Sequence, residues 1–266
     1  MKKNSRILPF IILLTMLCPM LSGSSVSAQC TMQNKAIGAN EKFSYKLYFN
    51  WKFIWVTAGT AEMITQKTTY QGKPAFSSSL ITKSSSRIDK YFRMRDTLKV
   101  YASNELAPLY YKKASHEGKR NYADEMWYSY PNGKCAVTHK IVHNDGSQEV
   151  QKHVYNDCVY DMLNIFLRAR NFDATNWKKG HVESMNIAGF SNLVKARLVY
   201  MGKKDIKAEN DKKYKCLELK YEELEDGKWH EVVRFFVTDD SRHVPIRLDL
   251  SLKFGSAKAF LQSGID

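Results

Sequence analysis

The chain has 266 residues and a net charge of +14, from 41 basic and 27 acidic side chains. A balance that positive favours solubility and attraction to anionic partners. Beyond the N-terminus no stretch approaches the roughly 20 apolar residues a membrane helix needs, which excludes a spanning helix there.

The first segment places Lys2, Lys3 and Arg6 ahead of a mostly apolar run, Ile7 to Leu21, and then the small residues Val26-Ser27-Ala28. A basic head, a short apolar run and a small-residue exit are the order of a secretory signal peptide over residues 1–28. Cleavage after Ala28 would remove three basic residues and no acidic one, leaving 238 residues and a net charge of +11. That length suits one large β domain or two small ones. Lipidation at Cys30 fits poorly, because Gln29 precedes it where a small residue is needed; Thr15-Met16-Leu17 suits Cys18 no better. The expectation is a soluble exported protein, with residues 29–40 a flexible segment and 41–266 a single β-rich domain. Export argues against nucleic acid as a partner, and for phosphorylated lipid, acidic glycan or a membrane surface.

From Lys42 onward the sequence reads as strand and turn. Phe43, Tyr45, Leu47 and Phe49 alternate with polar neighbours, the period of a half-buried strand. Trp55 to Thr65 continues the pattern, with Gly59 marking a bulge or a close backbone approach. A turn at Tyr70–Pro74 follows, then alternation through Phe76, Ser78, Leu80 and Thr82. In Ser84–Asp96, Arg87, Lys90, Arg93 and Arg95 interleave with Tyr91, Phe92 and Met94. Basic groups of this kind hold phosphate or carboxylate heads while rings contact sugar or acyl chains. The plainer reading is a strand with one solvated basic face.

Three dipeptides, Asn132-Gly133, Asp145-Gly146 and Asp226-Gly227, predict type I′ hairpins, whose two central residues both need positive φ. Between them, Val159, Met162, Leu163, Phe166 and Leu167 recur at helical spacing. This predicts one short amphipathic helix around 158–170, about three turns long, with Asp157 as N-cap and Arg168 and Arg170 at the negative end of its dipole. The helix packs on the sheet or plugs a barrel end. Asp239, Asp240 and Ser241 separate two apolar strands and suit a turn, with Pro245 opening the second strand. The fold class is mainly β: an antiparallel meander forming a strongly curved sheet or half-barrel.

Catalytic signatures are missing: no G-x-S-x-G, no H-E-x-x-H, no P-loop and no G-x-G-x-x-G. His139 and His143 would lie roughly 13 Å apart on one strand, too far to share a metal. No cofactor or metal is expected. The only local catalytic candidates are Asp239, Asp240 and His243. Glu222-Glu223 reads as solvated. Cys30, Cys135, Cys158 and Cys216 allow three disulfide pairings, and sequence selects none. The aromatic residues Trp51, Phe53, Trp55, Trp127, Tyr128 and Tyr130 would line a cavity or fill a core.

Together these stretches resemble an uncharacterised bacterial family, domain of unknown function 3108 (DUF3108). The matching pieces are VTAGTAEM, DTLKVYASNELAPLYYKK with HEGKR, YDMLNIFLRAR, and VTDDSRHVPIRL with FGSAKAFL, in the family's order from about Glu41 onward. The resemblance implies an exported, mostly β protein in the periplasm or cell envelope of a Gram-negative-type bacterium, with no established reaction and no catalytic residues to carry over. Positions matching Gly59, Asp96, Pro108, Asp161, Asp240 and Pro245 recur in the family pattern. A looser likeness to periplasmic lipoprotein carriers concerns architecture alone.

The leading expectation is a non-catalytic module binding an anionic amphiphile or acidic glycan, with peripheral membrane contact left open. Arg87, Lys90, Arg93 and Arg95 would surround a cavity walled by some of Trp55, Tyr91, Phe92 and Trp127. The alternatives are a hydrolase of envelope polymer and an interaction module presenting sheet edges.

Overall fold

The computed structural model describes residues 30–51, 54–252 and 255–265. The expected signal peptide, Phe53 and Phe254 lie outside the described residues. The alternating segments fold as β1 (Asn40–Trp51), β2 (Ile54–Tyr70), β3 (Lys73–Ser84), β4 (Met94–Ser103), β5 (Pro108–Glu117), β6 (Arg120–Ser129), β7 (Cys135–Val142) and β8 (Gln148–Tyr155). After these come β9 (Val159–Tyr160), β10 (Val182–Ala188), β11 (Leu193–Lys207), β12 (Lys213–Glu225), β13 (Lys228–Thr238), β14 (Pro245–Ser251) and β15 (Ser256–Ser263). Two helices interrupt them, a single turn α1 (Ser86–Asp89) and α2 (Met162–Ala169).

All fifteen strands form one sheet, ordered β8-β7-β6-β5-β4-β3-β2-β1-β15-β14-β13-β12-β11-β10-β9. It curls into a nearly closed barrel. Neighbours are antiparallel throughout, except that β9 runs parallel to β10. On β1 the register sets Phe43 and Tyr45 beside Met63 and Ala61 of β2, and Tyr45 and Leu47 beside Leu261 and Ala259 of β15. The period-two apolar face thereby becomes one continuous buried wall.

Local chemistry explains the tight places. A Cβ on Gly59 would stand 2.0 Å from the Lys83 carbonyl oxygen, and the β1–β2 register shifts beside it. Gly59 is therefore both a bulge site and a close approach. Asn132-Gly133 and Asp226-Gly227 have positive φ at both positions, as expected for type I′, and so does Gln71-Gly72. Asp145-Gly146 departs from that expectation, since only Gly146 is left-handed. There the loop is closed by His143 N donating to Ser147 O, and the Asp145 carboxylate accepts from Ser147 N and Oγ.

The helix is shorter than the sequence suggests and starts later. Val159 and Tyr160 pair with β10, so the backbone stays extended until Asp161, which is the N-cap in place of Asp157. Asp161 Oδ1 accepts from Leu163 N and Asn164 N. Leu163 and Leu167 face the barrel interior, whereas Met162 is exposed.

From Cys30 onward, the N-terminal segment, expected to be flexible over 29–40, makes contacts at the closed end of the barrel. Cys30 is disulfide-bonded to Cys158, with Cα atoms 5.3 Å apart. Met32 N donates to Glu105 O, and Asn171 Oδ1 accepts from Lys35 N and Ala36 N. At the centre of this plug sits Arg170, 1% exposed. Its guanidinium donates to both Glu41 oxygens, at 2.7 and 3.1 Å, and to the carbonyls of Ala36 and Arg242.

Breaking this pair strands a charge in the core. Glu41→Ala is expected to cost about 3–5 kcal/mol in urea denaturation, the scale for an uncompensated buried ion. Lys42→Ala, which breaks only the exposed bridge to Glu62, should cost about 1 kcal/mol or less.

Candidate functional site

In an up-and-down sheet alternate connections fall at the same end. The β1–β2, β3–β4, β5–β6, β7–β8, β10–β11, β12–β13 and β14–β15 turns therefore share one end of the barrel, opposite the plug. The basic-aromatic segment is the β3–β4 connection. It is a helical turn followed by a loop rather than a strand.

Ser84, Ser85, Asp89 and Arg95 build that loop. The Ser85 side chain caps α1 by accepting from Ile88 N. Arg95 grips Asp89 with two donors, at 3.0 and 2.5 Å, and also donates to Ser84 O. The guanidinium of Arg95 holds the Asp89 carboxyl below its ordinary range, with the Ser84 hydroxyl helping. Arg95 is thus occupied in holding the loop's base. Arg87, Lys90 and Arg93 project from it, exposed. Tyr91 is 85% and Phe92 49% exposed. Gly118 N donates to Arg93 O at 2.7 Å, and Phe92 lies over Gly118, so the loop rests on the β5–β6 turn.

Other exposed apolar side chains gather at this end. Ile54 and Trp55 lie beside the β1–β2 tip, Leu252 in the β14–β15 turn, Trp229 just past the β12–β13 turn and Leu193 just past the β10–β11 turn. Cations accompany two of the rings: Lys258 Nζ sits 4.4 Å from the Trp55 centroid, and the Arg197 guanidinium 4.2 Å from that of Trp229.

Of the predicted site residues, Arg87, Lys90, Tyr91, Arg93 and Arg95 share this loop, and Trp55 shares its end of the barrel. Trp127 lies elsewhere. It joins Tyr70, Tyr101 and Tyr110 in a run of ring contacts. Along β6 it is six residues from Asn121, the partner row of His116 and Arg95, or about 20 Å. An open groove of about 410 Å³ at the base of the loop is lined by Arg95, His116, Asn121, Tyr122, His143 and Asn144. None of the four predicted aromatics walls it.

Asp239, Asp240 and His243 occupy the opposite end, where each is engaged locally. Asp239 pairs with Lys203 at 2.6 Å. Asp240 Oδ1 accepts from Thr238 Oγ1 and Arg242 N, closing the turn. His243 Nδ1 donates to Arg170 O at 2.7 Å. These three side chains shape a hairpin and brace the plug. Glu222, read as solvated, is buried beneath Arg197 of β11 and Lys220 of its own strand, with both of which it pairs.

Two buried polar groupings escaped sequence reasoning. Ser115 Oγ lies 2.6 Å from Asp96 Oδ1 and 2.8 Å from Glu117 Oε1. Burial raises the Asp96 carboxyl above its ordinary range, with the Ser115 hydroxyl opposing that shift. Burial also opposes Glu117 ionisation, but donors from Ser115 and Asp96 and the Lys113 charge bring that group below its ordinary value. The second grouping is Asp161, fully enclosed, with Tyr128 Oη at 3.0 Å and Asn164 Nδ2 at 2.6 Å from its Oδ2. Burial pushes this carboxyl up to about 6 against those donors.

The Asp161 value sets a pH dependence. Its folded value exceeds the roughly 3.9 of an unfolded aspartate, so the folded state holds the proton more tightly. The resulting stability is complete below about pH 4 and is lost as pH rises through about 6, some 3 kcal/mol for a two-unit gap. Asp161→Asn keeps a capping oxygen and should flatten the fall in urea midpoint across that window.

A family model described as "Protein of unknown function (DUF3108)" matches residues 44–262. No curated protein matches the chain. Among solved structures, the crystal structure of a β-barrel-like protein of domain of unknown function DUF1849 from Brucella abortus is similar. It has a TM-score of 0.55 at 7% identity, covering 89% of this chain and 100% of that one. At that identity the likeness concerns the fold alone.

Proposed function

The chain belongs to the DUF3108 family, and from that premise we propose that it is an exported, non-catalytic binding module of the cell envelope. It engages the headgroups of anionic lipid through the hairpin-tip end of its barrel. The observation that carries this reading is the pair Tyr91 and Phe92, exposed to water on a loop whose other projecting side chains are Arg87, Lys90 and Arg93. Rings seat at the headgroup level while basic groups meet the phosphates. Ile54, Trp55 and Leu252 at the same end extend the apolar contact.

Two further features support the reading. The Cys30–Cys158 disulfide suits an oxidising compartment, and it occupies the sulfur that a lipid thioether at Cys30 would require. Packing of α2 and the N-terminal segment against the inner wall favours a peripheral contact over an enclosed carrier.

Co-sedimentation with phosphatidylglycerol and phosphatidylcholine vesicles tests the reading. Binding is expected only to the anionic vesicles, falling as salt shortens the screening length toward 8 Å and below. Arg93→Glu changes the local charge by two and should weaken binding about thirtyfold, at about 1 kcal/mol per charge near the surface. Tyr91→Ala should weaken it too, leaving the urea midpoint in place. Equal binding to both vesicles, or indifference to both substitutions, would reject the proposal. So would binding confined to a soluble acidic glycan.

A further inference from the structure

The barrel leaves one long strand edge open. β8 ends the sheet and pairs only with β7, in unbroken register from Cys135↔Tyr155 to Val142↔Gln148. Hydrogen-bonded and non-bonded pairs alternate in an antiparallel ladder. The bond from His143 N to Ser147 O fixes the phase. Glu149, Gln151, His153 and Tyr155 therefore exchange bonds with β7, while Gln148, Val150, Lys152 and Val154 turn their N–H and C=O groups outward. Among the described residues no group bonds to those outward-facing atoms.

The usual protections of an edge are largely missing here. β8 has no proline and no bulge, and it runs eight residues. Lys152 is the one edge lysine. It stands between Val150, 56% exposed, and Val154, 64% exposed, with all three side chains on one face. The other sheet edge cannot cover this one. β9 lasts two residues before the chain leaves at Asp161 to form α2.

We propose that β8 is a docking edge for an extended segment of a partner protein, which adds as a sixteenth strand antiparallel to β8. A row of outward backbone donors and acceptors is matched by another extended backbone. The side chains narrow the partner further: a carboxylate opposite Lys152, flanked two residues away on each side by β-branched residues opposite Val150 and Val154. A second copy of this chain fits less well. The self-pairing that sets Val150 against Val154 centres on Lys152 facing Lys152, two like charges directly opposite, and a one-residue slip turns the valines to the other face. This edge and the lipid-binding proposal rest on different residues and stand independently.

The test uses the full disulfide-bonded chain and three capped peptides. The first alternates Thr with Ile, Glu and Ile; the second carries Lys in place of Glu; the third carries Pro at the central position. Fluorescence anisotropy should show the Glu peptide binding about three- to tenfold more tightly than the Lys peptide, and the Pro peptide not binding. Lys152→Glu should reverse the Glu-over-Lys preference. Hydrogen exchange should show new protection at the amides of Val150, Lys152 and Val154 when the Glu peptide binds. The proposal fails if those amides are already protected in the free monomer, if no peptide binds, or if binding ignores both charge changes. Concentration-dependent dimers in light scattering, with the same amides protected, would overturn it in favour of self-association.

Discussion

A guanidinium taken out of water needs a counter-charge and acceptors for its N–H groups. In this barrel the cation and its acceptors bring together separate parts of the chain. Glu41 opens β1, Ala36 belongs to the N-terminal segment, Arg242 to the β13–β14 turn, and Arg170 itself follows α2. Residues 36–41, Arg170 and Arg242 lie far apart in sequence, so satisfying one cation fixes the relative placement of all three regions. His243 adds to the same joint through the Arg170 carbonyl, and Arg168 donates to Cys30 O close by. A sheet that winds as a meander has no layer of helices to fill its interior. The joint at Arg170 lets one two-turn helix and a short irregular segment do so.

The two ends of the barrel consequently differ in kind. At the closed end, polar side chains find partners inside the fold: Asp240 in its turn, Tyr45 Oη donating to Pro245 O, Tyr130 Oη donating to Pro108 O. At the open end, Arg95 and Asp89 tie down the base of the β3–β4 loop, and the remaining rings and cations face water. The positions singled out by the family resemblance follow this division. Gly59, Asp96, Pro108, Asp161, Asp240 and Pro245 each serve a close approach, a cap, a turn or a buried hydrogen bond. They account for the fold, and the exposed loop carries what distinguishes the surface.

What could be read from sequence was local. The period-two segments became strands, and two of the three predicted dipeptides took the double positive φ that Asn-Gly and Asp-Gly favour. The clustering of Arg87 through Arg95 was legible for the same reason, since neighbours in sequence stay neighbours in a loop. Trp127 was not legible as an outsider. Its face and height depend on registers accumulated across several strand pairs. The N-cap moved from Asp157 to Asp161 because pairing with β10, more than twenty residues ahead, outweighed helical spacing at Val159. Glu222 was misjudged because its charge partner Arg197 lies on another strand. These three misses each involved a partner distant in sequence.

The cysteines show what such distance means while the chain is folding. Cys158 ends bonded to Cys30, 128 residues away, yet Cys135 stands only 23 residues from it. Cys135 is thus the closer rival for Cys158 in an unstructured chain, where short loops close more readily than long ones. Burial raises the Cys135 thiol and starves it of the thiolate that disulfide exchange requires. Pairing of β7 with its neighbours therefore acts as a protecting group in the chemist's sense: in the folded barrel it keeps one sulfur masked while the remote pair is the one joined.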